Sequence, residues 1–382
     1  MRDYWSEAAA LEDMLREIRE RIHRNPELGN QEKRTAEYLR SLLEPLGIAV
    51  ENPFGTALCG ELRGAYPGKT VALRADMDAL PVTEETGAAF ASQTAGVMHA
   101  CGHDIHMTAA VGAAMLLAAR RDSLHGTVRF LFEPDEEGCG GAQRFVDAGC
   151  LRDVDAVFGA HVSPELPLGT VGVRYGKFYA ASDTFSIAVH GTSAHGAEPE
   201  KGIDALQAGA QLAAELVNLR TALGEEPCAV TVGTLHAGTA VNIVADRAEL
   251  TGILRTLGPD SRARMRQLVA ETARAVACRT GTTIDVQLHE SYPGVVNHDE
   301  ATRLVFETAC ALLGESHVMV LDAPTLMTED FGCYLSKAGG CYYHIGAGCT
   351  APLHSPQFLP DIRAALTAAA LHAAVIERAL SE

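Results

Sequence analysis

The chain has 382 residues, 47% hydrophobic and 21% charged, which suits a globular protein large enough for two domains. Its 31 Lys and Arg face 49 Asp and Glu, a formal net charge of -18 with no basic run to offset it. That balance argues against a nucleic-acid or anionic-membrane partner, since both require concentrated positive charge.

In chain order, "LEDMLREIRERIH" (11–23) and "KRTAEYLRSLLEPLG" (33–47) place apolar residues at helical spacing. Short strand-like runs follow at "TALCGEL", "TVALRAD", "TVRFLFEP" and "DAVFGAHV", with helices between them at 103–120 and about 141–149. Strands alternating with helices predict an α/β layer with a mostly parallel sheet, and the polar motifs fall at the strands' carboxyl ends, where such sheets place ligands. Near 178 the texture changes: "DTFSIAVHG", "CAVTVGTLHAG", "RAELTGILRTL" and "TTIDVQLHESY" read as strands, with helices at "IDALQAGAQLAAELVNLR" and "SRARMRQLVAETARAVACRT". The order β-α-β-β-α-β is ferredoxin-like. From about 293 the α/β texture resumes and ends in the helix "IRAALTAAALHAAVIERAL". The expected organisation is therefore one domain of residues 1–178 and 293–382, interrupted by an inserted α+β domain of residues 179–292.

The start, "MRDYWSEAAALEDML", lacks the cationic and apolar regions of a signal peptide. "AAVGAAMLLAA" (109–119) is too short to span a bilayer and reads as a buried helix. Ten scattered cysteines with no export signal read as reduced thiols, so a cytoplasmic location is expected.

The chemistry is concentrated in "HACGHDIH" (99–106), where Cys101 and His103 stand two residues apart just where an apolar helix begins. "FLFEPDEEG" brings Glu133, Asp135, Glu136 and Glu137 to one strand end, where they would repel one another unless cations were present. "FGAHV" ends the next strand with His161, and "APLHSPQF" places His354 in the loop before the last helix. Metals need deprotonated or neutral donors converging from several segments, and these residue types qualify. Singly, each has a plainer reading as a hydrogen-bonded histidine or a solvated acidic loop; together, all at strand ends of one sheet edge, they point to a metal site.

"RADMDALP", "MHACGHDIHM", "EEG", "GAHV", "SAHGAEP", "VNIVADRAELTGILR", "TEDFGCYL" and "LHSPQF" follow one another over nearly the whole chain. In that order they resemble the M20 metallopeptidase/amidohydrolase family. The likeness is greatest to its N-acyl-amino-acid amidohydrolase branch, which holds hippurate hydrolases, aminoacylases and auxin-conjugate hydrolases. The resemblance implies a catalytic α/β domain with two divalent metal ions and an inserted lid or dimerisation domain. It also implies Cys101, His103, Glu137, His161 and His354 as metal ligands and Glu136 as general base. Zn, Mn, Co and Ni all tolerate this donor mix. Asp76 and Asp78 stand where other branches carry a ligating His and its orienting Asp, and here they are expected behind the ligands. His106 is expected to be structural and His99 is open; Asp104 either orients a ligating imidazole or caps the helix.

The implied reaction is attack of metal-activated water on an amide carbonyl, with Glu136 carrying the proton to the departing amine. From the lid, His195 would stabilise the oxyanion, in its own chain or a partner's. Asn242 and Arg255 would bind substrate polar groups, Arg255 gripping an α-carboxylate or else pairing on the strand face. Two departures from the family pattern, Glu133 for a glutamine and the acidic lid residues Glu198 and Glu200, suggest a substrate with a free amine. The expected substrate is an N-acetyl- or N-benzoyl-type N-acyl-amino acid; the alternative is N-acetyl-diaminopimelate deacetylation or a narrow dipeptidase. A homodimer could form through the lid's exposed edge strand.

Two readings of other classes compete. A cysteine amidase with Cys101 as nucleophile leaves Glu136, Glu137, His161 and His354 without a task. A non-catalytic metal protein would favour closed, cysteine-paired sites, and the chain has no Cys-x-x-Cys.

Overall fold

The computed structural model describes residues 3–382. Its first part comprises α1 (Tyr4–Ala10), α2 (Glu12–Arg24), α3 (Lys33–Leu43), β1 (Ala49–Glu51), β2 (Leu58–Arg63), β3 (Tyr66–Asp76), α4 (His103–Ala118), β4 (His125–Glu133), α5 (Ala142–Asp147), β5 (Ala156–Ser163) and β6 (Val171–Val173). Then come β7 (Gly176–Tyr179), β8 (Ala181–His190), α6 (Ala205–Asn218), β9 (Ala229–Ala237), β10 (Arg247–Thr256), α7 (Pro259–Thr280), β11 (Thr283–Glu290) and β12 (Val295–Asn297). The chain closes with α8 (Asp299–Leu313), β13 (Val318–Val320), α9 (Gly332–Leu335), β14 (Gly339–Gly346) and α10 (Ile362–Ser381).

The chain divides into two units, 1–176 with 297–322 and 330–382, and 177–296 with 323–329. The limits 179–292 read from the sequence differ by a few residues and omit 323–329. That short segment carries no periodic pattern; backbone pairing holds it, with Ala180 N–H donating to Met327 O and Thr325 N–H to Phe178 O.

The larger unit is built on an eight-stranded sheet ordered β1-β2-β4-β3-β5-β14-β6-β13. The central strands β4, β3, β5 and β14 are parallel, and β1, β2 and β6 pair antiparallel around them. Parallel strands buried on both faces need continuous apolar runs, and Val71–Leu73, Phe130–Phe132 and Val157–Phe158 supply them. Helix α4 is apolar on every side and almost wholly buried, packing on β3, α2 and α10. Among the described residues, α10 is the one helix long and apolar enough to cross a membrane, and 83% of its apolar window is buried inside the fold.

The second unit has the expected β8-α6-β9-β10-α7-β11 order, in an antiparallel sheet arranged β11-β8-β10-β9. Strand alternation puts Phe185, Ile187 and Val189 of β8 inward. They meet Ala208, Leu212 and Leu216 of α6 and Met265, Val269 and Val276 of α7 in one core.

Candidate metal centre

The carboxyl ends of the parallel strands carry the polar motifs. β3 ends at Asp76, whose register partner is Glu133 at the end of β4, while β5 presents His161 opposite His344 of β14. Between Cys101 and His103 the chain turns through Gly102 in the left-handed region, φ 89°. A Cβ there would lie 2.4 Å from Val162 Cγ2, so only glycine lets this turn approach β5. His354 also has positive φ, 64°, and is held by its N–H donating to Ala100 O at 2.8 Å.

The donor atoms of Cys101, His103 and His161 lie within 4.8 Å of one another, as do those of Cys101, Glu137 and His354, and those of His103, Glu136 and Glu137. The three groups share members, so all six residues form one cluster. Within it Cys101 Sγ is 3.3 Å from His161 Nε2, and His354 Nε2 is 2.9 Å from Glu137 Oε1. All are buried except Glu137, which is partly buried, and the exposed His354.

The imidazoles are held from behind. His103 Nδ1 is 2.9 Å from Asp78 O and 3.2 Å from Asp78 Oδ1, which leaves Nε2 buried without a hydrogen-bond partner and facing the cluster. His161 Nδ1 is fixed by Val162 O at 2.7 Å. His106 is structural: its Nε2 accepts the Val162 N–H at 3.0 Å, so its Nδ1 donates to Asp76 Oδ1 at 2.6 Å. The other oxygen of Asp78 accepts the Glu137 N–H at 3.1 Å, so one carboxylate positions two members of the cluster.

Four carboxylates gathered at one strand end do not all face the cluster. Glu133 is fully buried and accepts from Arg74 Nε at 2.7 Å and the Tyr334 hydroxyl at 2.8 Å. It therefore adds no charge at a pocket mouth, contrary to the expectation. Asp135, at φ 62°, turns aside to accept from Asn30 Nδ2 at 2.6 Å and the Cys139 N–H at 3.1 Å. Its carboxylate fills the space a Cβ on Gly138 would need, with Oδ1 only 2.3 Å from that position. Glu136 and Glu137 remain beside His103. Arg74 balances three buried acids, donating also to Asp76 at 2.7 Å and Asp330 at 3.2 Å. Asp330 accepts the Ala142 N–H at 3.0 Å and so anchors the start of α5. Sequence reasoning quoted its motif, "TEDFGCYL", without singling Asp330 out. A buried Arg flanked by acids in "RADMD" was the available signal.

Asp104 neither orients a ligand imidazole nor caps α4. Its Oδ2 accepts from Arg19 Nε at 2.7 Å and His23 Nδ1 at 2.8 Å, tying α2 to α4. His99 is buried with both ring nitrogens unpartnered, and burial takes its pKa down to about 3.

In the second unit, His195 is exposed and its Nδ1 accepts the Ala197 N–H at 3.1 Å, which leaves Nε2 as the protonated donor of a neutral ring. Asn242 is its neighbour: Gly196 N–H donates to Asn242 O at 2.8 Å, and His195 bridges Ile243. Arg255 donates to the hydroxyl of Ser182, its register partner on β8, rather than to a carboxylate. Glu198 is paired with Lys201 at 2.6 Å, so the lid's acidic excess is partly cancelled, and Glu200 is exposed.

The electrostatics of the six-residue cluster call for positive charge. Burial pushes the Cys101 thiol well up, and Glu137 and Glu136 push the same way. Burial opposes protonation of His103, but Asp76, Asp78 and Glu137 outweigh it and raise the ring to about 10. Burial and His106 hold His161 well below the usual imidazole range. A high thiol beside a low imidazole is the reverse of a nucleophilic Cys–His pair, which disfavours Cys101 as a nucleophile.

The family model for peptidase family M20/M25/M40 matches residues 72–378. The chain belongs to that family. It is 38% identical over 363 residues to thermostable carboxypeptidase 2 of Saccharolobus solfataricus, covering 92% of this chain and 91% of that protein. It is 37% identical over 286 residues to an N-acyl-L-amino acid amidohydrolase of Geobacillus stearothermophilus, covering 74% and 77%. Among solved structures, a Bacillus subtilis protein described as a dinuclear metal binding peptidase of the M20 family superposes with a TM-score of 0.89 at 33% identity, covering 98% of this chain and 99% of that one. This M20 chain is a metal-dependent hydrolase of amide bonds, and the donor set fits metal binding. His103 offers a buried, unpartnered Nε2, and the proton that the acids hold on it, like the proton on Cys101, is what a cation would replace.

Proposed function

We propose that the protein hydrolyses the amide bond of N-acyl-amino acids, with two divalent cations held by Cys101, His103, Glu137, His161 and His354. The observation that carries this is the shared cluster of five donors and Glu136 around a buried, unpartnered His103 Nε2. Bound divalent cations supply Lewis acidity, which polarises the amide carbonyl and acidifies water.

The chain's own groups do the rest. Glu136 takes the proton of the attacking water on a carboxylate oxygen and returns it to the amide nitrogen as the C–N bond breaks. Asp78 keeps His103 and the Glu137 backbone in place during that exchange. His195, with Nε2–H as its free donor, suits an oxyanion, and Asn242 stands next to it in the same loop pair. Arg255, whose guanidinium pairs no carboxylate among the described residues, suits the α-carboxylate of the substrate.

An N-acyl-amino acid is favoured over an amine-bearing substrate because Lys201 offsets Glu198 and Glu133 is buried against Arg74. The carboxypeptidase relative keeps short peptides as the second reading. Zn, Mn, Co and Ni all suit the mixed thiolate, imidazole and carboxylate donors. The cysteines are free, which supports a cytoplasmic location. A homodimer through edge strand β9 is supported by the exposed apolar Leu235, Val241 and Ile243 on or just after it. Sedimentation at equilibrium tests that assembly, and a monomer mass refutes it.

The test of function is amine release from N-acetyl- and N-benzoyl-amino acids, N-acetyl-diaminopimelate and dipeptides, by metal-stripped protein before and after adding Zn, Mn or Co. Hydrolysis of N-acyl-amino acids restored by metal is expected. Activity unchanged by stripping, or confined to dipeptides, overturns the proposal.

A further inference from the structure

One buried histidine outside the metal cluster lies between two acids. His23, near the end of α2, has Nδ1 2.8 Å from Asp104 Oδ2 on α4 and Nε2 3.2 Å from Glu84 Oε1. Both carboxylates accept elsewhere too, Asp104 from Arg19 Nε at 2.7 Å, Glu84 from the Thr86 hydroxyl and from the Ser92 N–H at 2.6 Å. Each is an ionised acceptor, so the ring must donate from both nitrogens, which only an imidazolium does. Charge agrees: the buried group of Arg19, His23, Asp104 and Glu84, whose side chain is 4% exposed, is neutral only while His23 is protonated twice. His99, with its ring 6.4 Å from that of His23, stays uncharged. Phe90 covers the group, its ring edge-on to His23 at 5.4 Å and under the Arg19 guanidinium at 4.7 Å.

Glu84 belongs to residues 81–97, a stretch without helix or strand, closed at its base where Leu80 and Met98 exchange backbone hydrogen bonds at 2.9 and 3.0 Å. This stretch braces the loop of His354. Glu85 N–H donates to Pro356 O at 2.8 Å, and Ala100 O, just past the base, accepts the His354 N–H at 2.8 Å. We propose that an imidazolium His23 clasps the 81–97 segment through Glu84 and so positions His354, the metal site loosening as His23 loses its proton. The consequence for the metals rests on the ligand set proposed above; the clasp itself does not. Burial opposes the proton, as Arg19 does, but the charge of Asp104 and the hydrogen bonds to Asp104 and Glu84 outweigh them and raise the ring above 6.5. The clasp is therefore complete below pH 6.5 and is lost as pH rises through the higher value of the folded protein. A neutral ring keeps one proton, which the nearer Asp104 holds, so the Glu84 bond is the one that breaks.

The test begins with metal-free, full-length protein. Nitrogen NMR of the histidine rings, with His23 assigned by the signals missing in His23→Gln, should give a pKa above 6.5. Hydrogen exchange over 82–93, corrected for the intrinsic rate, should lose about tenfold protection as His23 titrates, the worth of one charge-assisted hydrogen bond. That measurement needs no variant. Glu84→Gln should show the lower protection below pH 6.5 already, without a step. A His23 pKa at or below 6.5, or no step in the unmutated protein, overturns the clasp. Chelator competition for Zn then reads the positioning. Below the measured pKa, His23→Gln should bind Zn about threefold or more weakly than the unmutated protein, and the deficit should narrow above it. Equal affinity below that pKa, with His354→Ala impaired, overturns the positioning of His354 alone. Normal Zn binding by His354→Ala overturns the ligand set, and the positioning with it.

Discussion

Asp78→Asn isolates the support of the metal cluster from the cluster itself. His103 Nδ1 is hydrogen-bonded to the backbone oxygen of Asp78 at 2.9 Å, and Asp78 Oδ1 lies 3.2 Å away as a charge contact without a hydrogen bond. The backbone acceptor survives the substitution, so the ring keeps its tautomer and its outward Nε2. What is lost is the longer, charge-assisted contact and the negative field behind the ring. That is about 1.5 kcal/mol, or roughly tenfold in metal affinity, at the low end for outer partners of metal ligands. Asp78→Ala also removes the acceptor of the Glu137 N–H, held at 3.1 Å, and should approach a loss of about a hundredfold. Competition of each variant with a chelator for Zn or Mn measures the affinity, and circular dichroism checks the fold. Activity at saturating metal should recover more fully in Asp78→Asn than in Asp78→Ala. Affinity unchanged in both variants, with His103→Ala strongly impaired, would show that Asp78 does not position the ligands.

Glu136→Gln should lower kcat by about 10²–10⁴-fold while metal affinity changes little; a loss of kcat below tenfold, read at saturating metal, removes the general-base role. Arg74→Met leaves Asp76, Glu133 and Asp330 buried without their cation and should destabilise the larger unit by about 3–5 kcal/mol in urea denaturation, with partial recovery on adding Glu133→Gln. An unchanged midpoint contradicts that accounting. Burial works to raise Glu84, but hydrogen bonds from His23, Thr86 and the Ser92 N–H bring its pKa from 4.5 to about 2. A carboxylate so depressed stabilises the fold fully above about pH 4.5 and loses that contribution as pH falls towards 2. The stability gap between the protein and Glu84→Gln should therefore close over that window, and a gap constant with pH counts against it.

Much of this molecule was decided locally. The lid's β-α-β-β-α-β order was legible because its four strands are eight to ten residues long and its helices carry clear apolar faces. The donor types were legible too, since thiol, imidazole and carboxylate at strand ends have few other joint uses. Strands of three residues, β1, β6 and β13, are too short for any period to register, and so these outer strands of the large sheet went unread, whereas the antiparallel β2 was legible in "TALCGEL". The inner carboxylates stayed ambiguous for another reason. Asp104 could have served His103 one residue away, but folding brings Arg19 and His23, 85 and 81 residues distant, to its oxygen. Glu133 looked like exposed charge until Arg74, 59 residues earlier, lay against it. Residue type fixed which chemistry was available to this chain. Which acid faces the metals and which is neutralised in the core depended on where tertiary packing put the few buried cations, because an unpaired buried charge costs too much to be left where the sequence alone would put it.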